Sequence, residues 1–201
     1  ESRGLGDVYK RQSLGRPEAI DYFKACRDTA KKNVEKGVGV IPEGMEEIRT
    51  LWIYVPILFD FPFFDWIEEE LGAIHLFDCL DWFFTQPIDT SSTDSIIRGL
   101  AERSFNWPMH RQSMGFADDW ISDFVWLAKE YRADCAIFAG HAACKHSWGI
   151  NKLLSDALKK EVGIPSLRFE MDLADKRVTS IVDIKAKFAE FIKNVRERKR
   201  H

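Results

Sequence analysis

Cysteine is scarce in this 201-residue sequence: Cys26, Cys79, Cys135 and Cys144 are the only four, and no two stand in CxxC spacing. With no secretory context, this excludes a disulfide framework and fits reduced thiols in a cytoplasm. Long hydrophobic runs are missing too. The longest, 51–64, is broken by Pro56, Asp60 and Pro62 and falls short of the ~20 residues of a membrane helix. No signal peptide is recognisable. Neither charge dominates: 29 Lys and Arg face 32 Asp and Glu for a net −3, so no basic field exists to hold nucleic acid or anionic lipid. GxGxxG, GxxxxGK[ST] and GxSxG are all absent, which removes support for a glycine-rich nucleotide cradle or a nucleophile elbow. What remains is 45% hydrophobic and 13% aromatic, the profile of a globular protein with one main domain and an appendage.

The stretch Asp7-Val8-Tyr9-Lys10-Arg11-Gln12 looks like the translated adapter of a shotgun DNA library. Residues 1–12 are therefore expected to be an artefact, with the natural sequence cut upstream. Residues 13–45 are expected to form a linker helix and turn from a truncated upstream domain, and 46–201 a C-terminal α/β domain.

Pro17 opens a helix in which Ile20, Phe23, Ala30 and Val34 recur near a 3.6 period until Gly37. The β-branched and aromatic run 48–55 predicts a strand covered on both faces. Helical spacing over 60–71 ends at Gly72, and a second strand follows at 73–77. Residues 78–92 form a long aromatic loop with Trp82, Phe83 and Phe84, expected to contribute to a subunit or acyl-group surface. Ser91, Ser92 and Thr93 supply caps for a helix over 94–103. The clearest amphipathic helix is 116–131, with Phe116, Trp120, Ile121, Phe124, Leu127 and Ala128 on one stripe and Asp123 off it. Strand 134–139 is expected to end at Gly140, followed by a loop and helix 150–162. Strand 166–169 comes next, then a helix capped by Thr179 that buries Ile184, Phe188, Ile192 and Val195. This alternation predicts an α/β fold: a parallel four-stranded Rossmann-like (flavodoxin-like) layer with flanking helices, preceded by a linker helix. Ligands bind beyond the carboxyl ends of such strands, where Cys79 and Cys144 both fall.

The segment from Gly140 to Gly149 (Gly-His-Ala-Ala-Cys-Lys-His-Ser-Trp-Gly) gathers a soft ligand, two imidazoles, an ammonium and a hydroxyl at the sheet edge. Lys145 and the positive end of the following helix favour a Cys144 thiolate, either nucleophile or metal ligand. The alternative is a small residue packed beneath the helix. Cys26 and Cys135 read as core packing and Cys79 as a partly buried structural thiol.

The order of several motifs resembles a known family. Lys129-Glu130-Tyr131-Arg132-Ala133-Asp134-Cys135-Ala136-Ile137-Phe138, the cysteine loop, Leu158-Lys159-Lys160-Glu161-Val162-Gly163-Ile164-Pro165 and Glu170-Met171-Asp172 follow the C-terminal domain of the 2-hydroxyacyl-CoA dehydratases and benzoyl-CoA reductases. Upstream, Asn33-Val34-Glu35-Lys36-Gly37-Val38-Gly39-Val40-Ile41-Pro42 and Arg49-Thr50-Leu51-Trp52 are similar to its linker and first strand, so the likeness runs from Pro17 to Val195. The resemblance implies a 4Fe-4S cluster held by three cysteines, of which Cys144 matches the third and the others lie in the missing N-terminal part. It also implies a heterodimer with a related iron-sulfur subunit, an ATP-dependent activator that delivers a low-potential electron, and an acyl-CoA thioester that passes through a ketyl radical. Dehydration is the first choice and reduction of an aromatic ring the second. His141, Lys145, His146 and Ser147 are candidates to hydrogen-bond cluster sulfur or thioester, with loop capping and solvated charge as the plain alternative. A metal-free Rossmann-like module for a small ligand or a subunit contact is the competing function.

Overall fold

The structure, a computed structural model, describes residues 16–39, 41, 48–80 and 87–200. The expected adapter segment lies outside them, as do Trp82, Phe83 and Phe84. The chain divides into two units, 1–44 and 45–201. In the first, helix α1 (Pro17–Lys36) begins on proline and stops at Gly37, whose φ of 67° is the left-handed conformation that favours glycine. Its apolar positions Ile20, Phe23 and Val34 are exposed, and Cys26 is exposed as well, contrary to the core position expected for it.

The second unit is built on four strands: β1 (Ile48–Trp52), β2 (Ala73–His75), β3 (Cys135–His141) and β4 (Ser166–Met171). They pair in the order β2-β1-β3-β4, all parallel, which is the expected Rossmann-like layer. Each crossover is long enough to be covered by helices: α2 (Pro62–Leu71) between β1 and β2, then α3 (Thr93–Phe105), α4 (Pro108–Met114) and α5 (Ala117–Glu130) before β3, α6 (Lys145–Glu161) before β4, and α7 (Ile181–Arg200) last. Helix α4 has no counterpart in the sequence-based expectation.

A near-continuous apolar strand is what a sheet buried on both faces requires. In β3, Cys135, Ala136, Ile137, Phe138 and Ala139 are all fully buried. On one face Trp52 stacks with Phe188 at 6.1 Å and meets Phe63 edge-on, joining β1 to α7 and α2. Burying a threonine and an indole N–H in this core demands partners. They supply one another: Trp52 Nε1 donates to Thr50 Oγ1 at 3.0 Å, and Thr50 Oγ1 donates to Ile74 O at 2.7 Å.

Several boundaries differ from expectation for local reasons. Strand β3 runs through Gly140 to His141, pairing Gly140 with Glu170. A Cβ at Gly140 would sit 2.5 Å from the Trp148 ring and 2.6 Å from Phe138, so glycine is there for close packing and not to end the strand. Helix α6 starts at Lys145, five residues early. The last helix is capped by Ser180, whose Oγ accepts from Asp183 N at 3.2 Å, and not by Thr179. Asp123, placed off the apolar stripe, is buried because Arg111 and Gln112 of α4 reach it at 2.7 and 3.3 Å. Phe116, placed on that stripe, is exposed and stands before the helix begins.

Candidate functional site

In the order β2-β1-β3-β4 the direction of winding reverses between β1 and β3, and the crevice beyond their carboxyl ends is where such a sheet receives ligands. Beyond β1 the chain continues buried through Ile53, Tyr54 and Val55. Past β3 it turns through Ala142 and Ala143 to Cys144, the N-cap of α6. The loop after β2 returns to the same edge, where Cys79 N donates to Tyr54 O at 3.1 Å. Sheet topology alone thus gathers Tyr54, Cys79 and Cys144.

Cys144 is partly exposed, and its environment favours the thiolate. Burial pushes its thiol up, but side-chain hydrogen bonds from Ser147 and Tyr54 and the backbone amides of Ser147 and His146 outweigh this and hold it below the ordinary range. The amino end of the 17-residue helix α6 adds positive potential of the same sense. Tyr54 shows the converse. Burial raises its phenol strongly, and hydrogen bonding to Cys144 together with the charges of Cys144 and Cys79 raises it further, so it remains a donor. Cys135, buried in the sheet, is also pushed far up, first by burial. It is an inert core thiol, and Cys79 is fully buried where partial burial was expected.

The loop itself is tied down at each turn. Ala142 N donates to Met171 O at 2.8 Å and Cys144 N to His141 O at 3.0 Å, while Trp148 Nε1 also donates to His141 O, at 3.1 Å. Trp148 meets Phe138 edge-on at 5.0 Å, over the surface that Gly140 leaves bare. Ser147 is buried, with its Oγ also 3.1 Å from Cys144 O, so its one proton is shared between that carbonyl and the sulfur.

The four candidate neighbours of Cys144 fall in three places. Ser147 is against the cysteine, and His141 stands at the end of β3 with Nδ1 3.4 Å from Asp172 Oδ2. Lys145 and His146 line a groove of about 370 Å³ with Gln112, Trp120, Gly149 and Leu153. There the His146 ring stacks on Trp120 at 5.8 Å, and its Nε2 lies 3.3 Å from Gln112 O. What His146 gives to the thiol is its backbone N–H. Tyr54 was not singled out from the sequence because it lies inside the run read as strand; only the order of strands places it beside Cys144.

Among the described residues no three His, Cys, Asp or Glu side chains stand close enough together to hold a metal ion. Toward a four-iron cluster the crevice would offer one partly exposed thiol, that of Cys144. Nor, among the described residues, is any helix long and apolar enough to cross a membrane. No curated protein matches the sequence. A family model does, over residues 5–195, and its description is 2-hydroxyglutaryl-CoA dehydratase, D-component. With nearly its whole length matched, the chain belongs to the 2-hydroxyacyl-CoA dehydratase family as a dehydratase component.

Proposed function

We propose that this chain is the C-terminal part of an iron-sulfur subunit that removes water from a 2-hydroxyacyl-CoA thioester, with Cys144 as one thiolate ligand of a 4Fe-4S cluster. The observation that carries this reading is the place of Cys144, a partly exposed thiol at the N-cap of α6 on the switch point of the sheet, held below its ordinary range by Ser147, Tyr54 and two amides. The family match supports the dehydratase branch over benzoyl-CoA reduction. When bound, the cluster supplies one-electron transfer to the thioester carbonyl. The remaining ligands come from outside the described residues. A related iron-sulfur subunit, an ATP-dependent activator and a cytoplasmic setting complete the proposal.

The chain's own residues prepare the ligand. Ser147, Tyr54 and two amides favour negative charge on the sulfur, and Trp148, packed on Gly140, fixes the position of the loop. Cys144→Ser in the complete subunit, assembled anaerobically with its partner, is expected to lose cluster iron and turnover. Cys135→Ala, which removes one buried sulfur from the core, is expected to keep both and to lower thermal stability. Iron analysis and visible absorbance on the same samples decide it: full iron and full activity in Cys144→Ser would reject the assignment.

A further inference from the structure

We propose that the groove between the α4–α5 junction and the first turns of α6 is the acyl pocket of this site, kept open by Gly149 and selective, through Lys145, for a 2-hydroxyacyl chain that ends in a carboxylate. The inference rests on the dehydratase reading above and deepens it. The groove holds about 370 Å³, within the range of small-ligand sites. Gln112 and Trp120 contribute to one wall. Lys145, Gly149 and Leu153, spaced four apart and so in one row along α6, contribute to the other.

Gly149 is the first sign of a ligand. It lies inside α6, where glycine is destabilising relative to alanine. An added Cβ would meet no atom within 4 Å, in contrast to Gly140, and its backbone is not left-handed. Neither packing nor a turn explains the glycine; what the missing side chain leaves is space on the wall of the groove. The second sign is Trp120, 4% exposed, whose Nε1 is buried and without a hydrogen-bond partner. Such a donor calls for an acceptor that the fold does not supply.

The third sign is charge. Helix α5 from Ala117 and helix α6 from Lys145 both meet the groove at their amino ends, which favour negative charge. The first-turn acids of α5, Asp118 and Asp119, do not line it. The Lys145 ammonium is exposed and has no carboxylate partner among the described residues. An occupant with an apolar length and an anionic end fits these walls. In a CoA thioester the whole pantetheine arm separates the phosphates from the sulfur, whereas Lys145 directly follows Cys144. The anion that fits is therefore on the acyl side, a carboxylate at the far end of the chain.

The test uses the complete subunit with its partner and measures dissociation constants by calorimetry. Glutaryl-CoA, which lacks the 2-hydroxyl and cannot be dehydrated, is compared with pentanoyl-CoA, of equal chain length without the carboxylate, and with CoA itself. The parent is expected to prefer glutaryl-CoA over pentanoyl-CoA by about fivefold, and Lys145→Met to abolish that preference. Gly149→Leu is expected to weaken both thioesters by roughly tenfold or more while CoA binds as before. Gly149→Ala, a smaller intrusion, should raise the melting temperature and weaken the thioesters less. Equal affinity of the parent for the two thioesters, thioester binding unchanged in Gly149→Leu, or CoA weakened as much as its thioesters would overturn the inference while leaving the dehydratase reading intact. A parent complex that binds none of the three would sink both.

Discussion

At the Cys144 sulfur, opposing effects meet: burial disfavours the thiolate, and the Ser147 and Tyr54 hydroxyls with two amides favour it. Tyr54→Phe isolates one of them, because the ring keeps its packing near Phe138 at 6.2 Å and only the hydroxyl is lost. One hydrogen bond to a charged group contributes about 1.5–3 kcal/mol, so the thiolate fraction near neutral pH should fall by roughly tenfold or more. The measurement is the rate of iodoacetamide alkylation at Cys144 in the metal-free chain, followed by mass spectrometry. Cys26, exposed, serves as an internal reference whose rate should not change, and Cys135 should stay unlabelled until the protein unfolds. An unchanged Cys144 rate would mean that Tyr54 only fills space.

Between elements, the short helix α4 is held to α5 by a charge. Asp123, with 6% of its side chain exposed, receives Arg111 Nη1 at 2.7 Å, and Arg111 Nη2 reaches Asp119 at 3.1 Å. Burial pushes the Asp123 carboxyl up against the pull of Gln112 and Arg111. Arg111→Ala would leave that carboxylate buried without its cation, at a cost of about 2–3 kcal/mol. With its folded value raised, Asp123 favours folding most below the ordinary carboxylate range, and this contribution fades as pH rises through the folded value. Arg111→Ala raises that value further, so the stability gap to the parent should be widest near neutrality and close in acid. Urea melts across pH 4–8 check this, and a gap independent of pH would refute it. Gly140→Ala is a second test at this scale: the added Cβ meets Trp148 at 2.5 Å, and overpacking of this kind costs about 1–3 kcal/mol. The same contacts show what was legible in the sequence. Strand β1 was readable as a β-branched and aromatic run and the other strands as short apolar segments between helical periods and turn residues, and helices α1, α2 and α5 as 3.6-residue periods ended by glycine or polar residues. The hidden features are those set by other segments. Gly140 carries a turn signal, yet Trp148 makes it a strand residue. His146, Ser147 and Gly149 are weak helix formers, yet they lie in α6. Helix α4 spans seven residues, less than the window over which periodicity can be measured. Cys144 and His141 were visible as chemistry in one segment; Tyr54 and the pairing of His141 with Asp172 required the sheet to be assembled.

For the whole molecule, the distribution of buried surface separates folding from metal binding. The connected core is drawn from Ile48 to Val195, inside the unit 45–201, and it unites both faces of the sheet through Trp52, Phe124, Phe138 and Phe188. Residues 45–201 made alone should therefore unfold in one cooperative transition, with coincident far-ultraviolet and tryptophan-fluorescence curves in urea; separate transitions would contradict a single core. Metal should behave differently. A four-iron cluster normally needs several thiolates. The crevice offers Cys144 as an accessible one, while Cys79 is fully buried against Tyr54 and Cys135 lies inside the sheet. Burial keeps Cys135 protonated, so it cannot replace a missing ligand without unfolding β3. The expected result of anaerobic reconstitution of the 201-residue chain with iron and sulfide is thus a folded protein that binds iron weakly and without cluster stoichiometry. The same chain joined to a domain that supplies further cysteines should hold four irons. Visible absorbance and iron analysis after gel filtration separate these outcomes, and a stoichiometric cluster on the 201-residue chain would show that its ligands assemble from within this fold, most directly by Cys79 leaving its buried position to join Cys144.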